Sequence, residues 1–568
     1  MQTPPFSWLR SGWCWTALLL FAVYLRGLFL DVMDVDASQY ASIAREMLDS
    51  GAWLQVMHRG ADYLDKPPLL FWTSAGSFLT FGFSNWAYKL PSLLAAAAAV
   101  YAVFRFSLLF YPRETARNAA WMLASALGLV VICNDVRTDT LLLGATACSV
   151  WLLAEYLCRP TWWRLAAGFA CIGVAMLAKG PIGLLAPGFA VGAHLLLHRD
   201  WRNLFRPQWL AGLLLAALLL VPMCWGLYQQ FDLHPEKIVN DRTGVSGLRF
   251  YFWEQSFGRI TGENVWKNDA SVFYFLHVYL WAFLPWAPLL YWAVLRQFAG
   301  LARRRLRLSA GEEGYSLGAF LLSFIALSLS QYKLPHYIFV TLPWAAVLAA
   351  RGLDLLLPHY RRWIWGLQYA QIALLAFFSF LIPARIFPDA PALLWAVLLA
   401  GFGALAYAVG RCWAPADSAT LVRRSAWSLA LAAFVLNFYF YPRLLPYQSS
   451  STLAARMKEQ GLDPALLACY KRHGHALDFY TGVRVPRPET PEAVQHLADA
   501  QRELLLYTTL EGKKELDAAG LRYDTVLAFQ HFQVALLNAQ FLNPSTRPAA
   551  LTPVFLLKIR QADFDQNL

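Results

Sequence analysis

Apolar residues run uninterrupted over long stretches of this chain, separated by short polar intervals, and about 20 such residues are what a helix needs to cross a bilayer core. Thirteen spans are read this way, at roughly 13–30, 84–110, 118–133, 140–157, 163–178, 181–198, 209–227, 271–295, 315–330, 338–350, 363–382, 391–409 and 425–441. Short alternating segments, the mark of a transmembrane barrel, are absent. Two polar intervals are long, 31–83 and 228–270. In the first, Tyr40, Ile43, Ala44, Met47 and Leu48 share one helical face, which predicts an amphipathic helix lying along the membrane interface. From residue 442 the pattern changes. Helix-like segments at 452–460 and 492–500 alternate with β-rich runs at 504–507, 525–529 and 554–558, predicting a small α/β domain over 442–568 after a membrane domain over 1–441.

Composition agrees: 58% of the 568 residues are hydrophobic and 15% charged, which excludes a string of soluble domains. The net charge of +12 would otherwise point to nucleic acid, but the arginines are spread through short loops between apolar runs. Alternate loops carry them, as at Arg113/Arg117, Arg199/Arg202/Arg206, Arg303/Arg304/Arg305/Arg307 and Arg351/Arg361/Arg362. The positive-inside rule places these loops and the N-terminus in the cytoplasm, and the two long loops and the tail on the exported side. No small-residue cleavage site follows the first span, so it reads as a retained helix. The eight cysteines form neither a disulfide framework nor a CxxC pattern.

Candidate chemistry gathers in the exported loops. Asp34 and Asp36 follow the first span, and Asp139 opens the fourth within Asn134-Asp135-Val136-Arg137-Thr138-Asp139, where burying a charge calls for a partner or a purpose. A plainer reading of the first two is solvation at the interface. Asp65-Lys66-Pro67-Pro68 is stiffened by its prolines, which restrict where Lys66 points. A fixed ammonium there suits a phosphate oxygen, and a snorkelling lysine on a rigid turn fits equally. Gln331-Tyr332-Lys333-Leu334-Pro335-His336-Tyr337 repeats the logic, with a cation, a proline and ring donors in one loop. Arg259 offers a guanidinium that can hold phosphate through two hydrogen bonds, and Lys179-Gly180-Pro181 places another lysine beside a proline. Cations at one face would hold a lipid-linked phosphate. Carboxylates there could deprotonate an acceptor, stabilise a positive sugar or bind a divalent cation.

These motifs resemble the polyprenyl-phosphate-dependent glycosyltransferases of the GT-C type, the group that includes protein O-mannosyltransferases, and within it the bacterial transferases that add aminoarabinose to lipid A. The likeness rests on the acidic first loop with Ala44-Arg45-Glu46-Met47, on Asp65-Lys66-Pro67-Pro68-Leu69, Asp139 and Lys333-Leu334-Pro335-His336-Tyr337, on the thirteen spans and on the exported tail. It implies a multi-pass protein of the bacterial inner membrane. Its partners would be membrane lipids, an undecaprenyl-phosphate-linked sugar (4-amino-4-deoxy-L-arabinose or another aminosugar) and, as acceptor, a lipid A phosphate on the periplasmic face. That modification confers resistance to polymyxin and other cationic antimicrobial peptides. Carried over by motif, Asp36 and Asp139 would be the catalytic acids. Lys66, Arg259, Tyr337 and Lys333 would hold the donor phosphate, and Asp65, Glu254 and Asp34 would line the cavity or hold a divalent cation. The chain departs from the pattern where Ala37 follows Asp36 and where an aspartate, Asp65, precedes Lys66. Transfer to a protein hydroxyl or another glycan is the alternative, with Asp36 then acting as base. A lipid-linked sugar transporter fits less well, because the polar motifs cluster at one face and no two-fold repeat is visible.

Overall fold

The computed structural model describes residues 12–560, apart from 264–265, 415–416, 473 and 502. The start of the N-terminus read as cytoplasmic, residues 1–11, and the end of the tail, 561–568, lie outside them. The membrane part begins with α1 (Trp13–Leu28), the loop helix α2 (Asp36–Ser50), a small hairpin of β1 (Met57–His58) and β2 (Ala61–Asp62), and α3 (Leu69–Phe81). It continues with α4 (Asn85–Phe110), α5 (Arg113–Ala124), α6 (Leu127–Asn134), α7 (Thr138–Cys158), α8 (Trp162–Lys179), α9 (Ile182–His198) and α10 (Gln208–Leu227). After the second long loop come α11 (Tyr274–Ala282), α12 (Ala287–Arg303), α13 (Tyr315–Ser328), α14 (Leu342–Leu381), α15 (Ala392–Arg411) and α16 (Ser418–Val435). Six described helices or helix runs are long and apolar enough to cross a membrane, or seven if α5 and α6, bent by 45°, count as one. Shorter apolar helices include α1, α3, α9 and α13.

Three departures from the sequence reading have local causes. The run read as a span over 271–295 is split into α11 and α12 around Leu284-Pro285, where proline supplies no backbone donor. The runs at 338–350 and 363–382 are joined in α14, which bends at Tyr360, two residues beyond Pro358. On either side of that bend lie about 18 and 21 residues, each close to a bilayer's thickness. Helix α3 lies inside the stretch read as loop; with 13 residues it is too short to register as a span.

Close helix packing rests on small residues, as expected where lipid tails leave no hydrophobic drive between helices. A Cβ on Gly183 of α9 would come within 2.5 Å of the α8 backbone at Ala175 and Met176. One on Gly144 of α7 would come within 2.5 Å of the Ala95 carbonyl in α4. Buried Lys89 of α4 donates to the carbonyls of Gly27 (3.1 Å) and Leu30 (2.8 Å), satisfying acceptors left over at the end of α1.

The tail folds as α17 (Ser449–Glu459), β3 (Leu467–Tyr470), α18 (His475–Thr481), α19 (Pro491–Ala500), β4 (Glu503–Thr509), α20 (Leu510–Ala518), β5 (Tyr523–His531) and β6 (Thr552–Arg560). Its four strands lie in the order β3-β4-β6-β5, with β3 parallel to β4 and the other pairs antiparallel. Alternate residues of β4 face opposite ways: Leu505 and Tyr507 pack with Leu453 and Met457 of α17, while Leu504 and Leu506 pack with Val494 of α19 and Leu516 of α20. That double burial explains the unbroken apolar run at 504–507.

Helix α2 does not lie free along an interface. Its face of Tyr40, Ile43, Ala44 and Met47 is buried against Phe71, Tyr88 and Phe479, so the protein itself satisfies the amphipathic pattern. The tail clasps this loop through polar bonds: Ala476 N–H to Asp34 (3.0 Å), Val32 N–H to Tyr480 (2.8 Å) and Asp34 N–H to Gln448 (2.7 Å). Arg59 pairs with Asp478, which also holds Arg487 at 3.3 Å, and Glu46 accepts from the Arg59 and Gly60 amides at 2.6 Å each.

Two predictions follow from this packing. Gly183→Val should overpack the α8–α9 crossing and destabilise the protein by ~1–3 kcal/mol, read as a lower melting temperature in detergent. At the clasp, His58 and His475 lie with ring centroids 5.0 Å apart. Burial, together with His475, Arg59 and Arg487, takes the His58 imidazole from 6.5 down to about 3. The unfolded chain therefore binds the proton first. Stability is full above pH 6.5 and falls as the pH drops toward 3, so melting temperature should decline across that window and decline less in His58→Gln.

Candidate active site

The loop 51–68 closes over one end of the helices and delivers Lys66 there. Pro67 disfavours helix at Lys66 and Pro68 directly precedes α3, so the lysine leaves a constrained backbone and is half-buried. Beside it opens a cavity with about 1250 Å³ of non-atom space, its open mouth included. Much of the lining is apolar, from the loop, α9, α10, α13 and residues 250–260. Into it reach Asp65, Lys66, Lys179, Arg259 and Tyr337. Few polar groups in a largely apolar cavity are what fixes the orientation of a bound ligand.

The cations are not equivalent. Arg259 donates to the Tyr337 hydroxyl (2.9 Å) and to Gln255 Oε1 (2.6 Å), and its guanidinium lies 5.3 Å from the Tyr337 ring centre. Gln255 in turn donates to the Asp65 carbonyl (2.8 Å), tying Arg259 to the Lys66 loop. Arg259 Nε is buried without a hydrogen-bond partner among the described residues. Lys179 pairs with Asp139 and stands 4.1 Å above the Tyr337 ring. Lys66 has only a 3.4 Å contact to the Asp65 carbonyl and no carboxylate within ion-pair distance among the described residues. Burial pulls its ammonium below the ordinary lysine value of 10.5; Asp65 raises it again, and Arg259 lowers it further.

The acids are arranged behind these cations. Asp139 is 1% exposed, in the first turn of α7, and its other oxygen lies 3.8 Å from His336 Nε2. Asp36, the first residue of α2, pairs with Arg137, whose guanidinium also holds Asp135 at 3.0 Å. Neither Asp36 nor Asp139 forms part of the cavity wall, and each is engaged by a cation.

Of the residues singled out in the sequence, Lys66, Arg259, Tyr337 and Asp65 meet at the cavity, and Asp139 stands one side chain behind it through Lys179. Asp65 Oδ1 is buried with no hydrogen-bond partner among the described residues. Asp36, paired with Arg137, and three others lie elsewhere. Lys333 Nζ donates to the Ala270 carbonyl (2.9 Å), away from the cavity wall. Glu254 accepts from Arg242 (3.1 Å), and Asp34 is committed to Ser38 and Ala476 in the clasp. Among the described residues no three His, Cys, Asp or Glu side chains gather as a metal-holding group, so the acids considered for a divalent cation do not form a common site. The sequence points to His336 only as a ring donor of its loop and singles out neither Arg137 nor Gln255 for a role. Arg137 sits between two aspartates in the Asp135–Asp139 stretch, and that spacing is the signal that could have singled it out.

A family profile described as dolichyl-phosphate-mannose-protein mannosyltransferase matches residues 65–225, from the Lys66 loop through α10. The chain is 29% identical over 352 residues to the undecaprenyl phosphate-alpha-4-amino-4-deoxy-L-arabinose arabinosyl transferase of Edwardsiella ictaluri, covering 60% of this chain and 59% of that one. It is 26% identical over 380 residues to the transferase of the same description from Shewanella sediminis, covering 65% and 64%. The chain thus spans about three fifths of the length of these curated relatives. Its fold superposes on ArnT from Cupriavidus metallidurans bound to undecaprenyl phosphate with a TM-score of 0.70 at 19% identity, over 97% of this chain and 98% of that one. The apo form of the same protein gives 0.70 as well, over 96% and 98%. The likeness in structure shows the fold: a polytopic helical membrane protein built like ArnT.

Proposed function

We propose that this protein is a glycosyltransferase that takes 4-amino-4-deoxy-L-arabinose, or a related aminosugar, from undecaprenyl phosphate and transfers it to a lipid A phosphate at the exported face of the inner membrane. One observation carries the reading: Lys66, Arg259 and Lys179 converge with the Tyr337 hydroxyl on one wall of a mostly apolar cavity at the ends of the helices. Such a cavity suits a ligand that joins a lipid chain to an anion. The names of the relatives supply the sugar and the carrier.

The chemistry follows from the geometry. When the sugar's C1–O bond breaks, the carrier phosphate leaves with increasing negative charge, and preorganised cations stabilise it most at that moment. Lys66, unpaired by any described carboxylate, is the cation best placed to bind it. Arg259 is aimed by Tyr337 and Gln255 and adds directional donors. An acceptor phosphate is already an anion and needs no base. Asp139 and Asp36 therefore act as positioning residues that hold Lys179 and Arg137. The tail, in this reading, is an exported domain that fixes the first loop, with the arginine-rich loops in the cytoplasm.

Transfer to a protein hydroxyl is the second reading, favoured by the description of the family profile over residues 65–225. Lipid A mass spectrometry from cells with and without the protein separates the two. Under the first, a pentosamine increment on a lipid A phosphate appears with the protein and is lost with Asp36→Asn. Unchanged lipid A sinks it and turns attention to sugar-modified periplasmic proteins.

Two further outcomes are expected. Lys66→Ala should weaken donor binding by ~1.5–3 kcal/mol, roughly ten- to a hundredfold in Kd, with little change in melting temperature. Lys66 holds phosphate only when protonated and its ammonium titrates below 10.5, so donor affinity should fall as pH rises through a point below that value. Lys66→Arg, charged throughout, should flatten the alkaline limb; an unchanged profile would remove Lys66 from the phosphate site.

A further inference from the structure

A second cavity lies at the opposite ends of the same helices. Helix α9 contributes Ile182 and Leu185 to the first cavity and Leu197 to this one; α13 contributes Leu327 to the first and Leu317 to this one. Leu185 and Leu197 are about 18 Å apart along α9 at 1.5 Å per residue, so the two cavities lie toward opposite ends of that helix. The second cavity has about 1380 Å³ of non-atom space, open solvent included, and α12 and α14 form its outer wall.

Its walls divide by chemistry. Arg296, Arg303, Arg304 and Arg351 contribute four guanidinium groups. Two carboxylates oppose them, and both are engaged. Glu313 accepts the Ser316 amide (2.9 Å) and the Tyr111 hydroxyl (2.6 Å) at the start of α13. Glu312 holds Arg304 at 2.8 Å and Arg351 at 3.5 Å. Arg296 and Arg303 have no carboxylate within ion-pair distance among the described residues; Arg296 lies over the Tyr360 ring at 5.8 Å. Apolar surface borders these arginines: Leu295 is 70% exposed and Leu355 48%, with Trp292 packed on Tyr360 at 4.6 Å. Indole and phenol rings beside arginines, between a charged recess and exposed leucines, match a membrane–water boundary.

We infer that this cavity binds the headgroup of an anionic glycerophospholipid, with Arg296 and Arg303 on the phosphate and the acyl chains along Leu295 and Leu355. A basic recess between helices at a membrane boundary recognises a phosphodiester with attached chains. The leucines on the outer wall favour a lipid over a free anion, which would gain nothing from them. This site is independent of the sugar-transfer reading, since no residue is shared between the two cavities.

The test is native mass spectrometry of the full-length protein in detergent, with equal amounts of phosphatidylglycerol and phosphatidylcholine of matched chains. The wild type should retain phosphatidylglycerol selectively. Arg296→Ala/Arg303→Ala should lower that retention about tenfold, with melting temperature unchanged. Arg296→Lys/Arg303→Lys should retain most of it. A control, Arg159→Ala/Arg202→Ala, removes two arginines outside the cavity and should behave as wild type. A photoactivatable phosphatidylglycerol should label the wild-type segment 292–304, a readout that stands even if the alanine variant fails to fold. Equal retention of both lipids, full retention by a folded alanine variant, loss in the control, labelling confined to other segments, or displacement by millimolar inorganic phosphate would each overturn the assignment.

Discussion

The ion pair between Asp139 and Lys179 is the constraint on which the site depends. A carboxylate with 1% exposure is tolerable only if a cation answers it, because the cost of desolvating an isolated charge far exceeds what packing returns. The helices supply that cation in a favourable way. Asp139 is in the first turn of α7 and Lys179 closes α8, so each sits where its helix dipole favours its sign. The positive φ of Gly180 lets the chain turn at once into α9, and the bare α-carbon of Gly183 lets α9 pack on the backbone of α8. The pair thereby fixes one wall of the cavity, and Lys179 meets the Tyr337 ring as a consequence.

A second consequence is a division of labour among the cations. Lys179 and Arg137 are neutralised by Asp139 and Asp36 and so cost little to bury. Lys66 and Arg259 carry charge that no described carboxylate cancels, which is expensive in an apolar cavity without an anionic ligand. A site that concentrates uncancelled positive charge in such a setting is poised for an anion, and ligand binding relieves the cost. Burial that lowers the Lys66 ammonium expresses the same imbalance.

How much of this was legible in the sequence depended on range. Lys66 and Tyr337 could be found because each lies in a proline-stiffened loop whose geometry is local. The pairing of Asp36 with Arg137 spans 101 residues and that of Asp139 with Lys179 spans 40, and both depend on helix packing that no short motif encodes. Lys333 shows the converse limit. It shares a motif with Tyr337, but Leu334 between them is extended and the turn begins only at Pro335, so the two side chains go to different places. Residues 467–470 are too short a strand to announce themselves by pattern, and the amphipathic periodicity of α2 records which face is covered, not what covers it.

The clasp of the tail on the first loop explains why the loop can be long and still position chemistry. An interval of some 50 residues between helices would ordinarily be mobile. Here the segment 32–60 is held on one side by the α3–α4 core and on the other by α18, through Asp34, Ser42, Arg45 and Arg59. Four anchors spread along the segment restrain it far more than one, because each removes the freedom left by the others. The loop that bears Lys66 begins where this clasp ends, and on the far side it runs directly into α3 through Pro68. Lys66 is therefore suspended between two fixed points, and its placement at the cavity depends on the tail although no described tail residue lines the cavity.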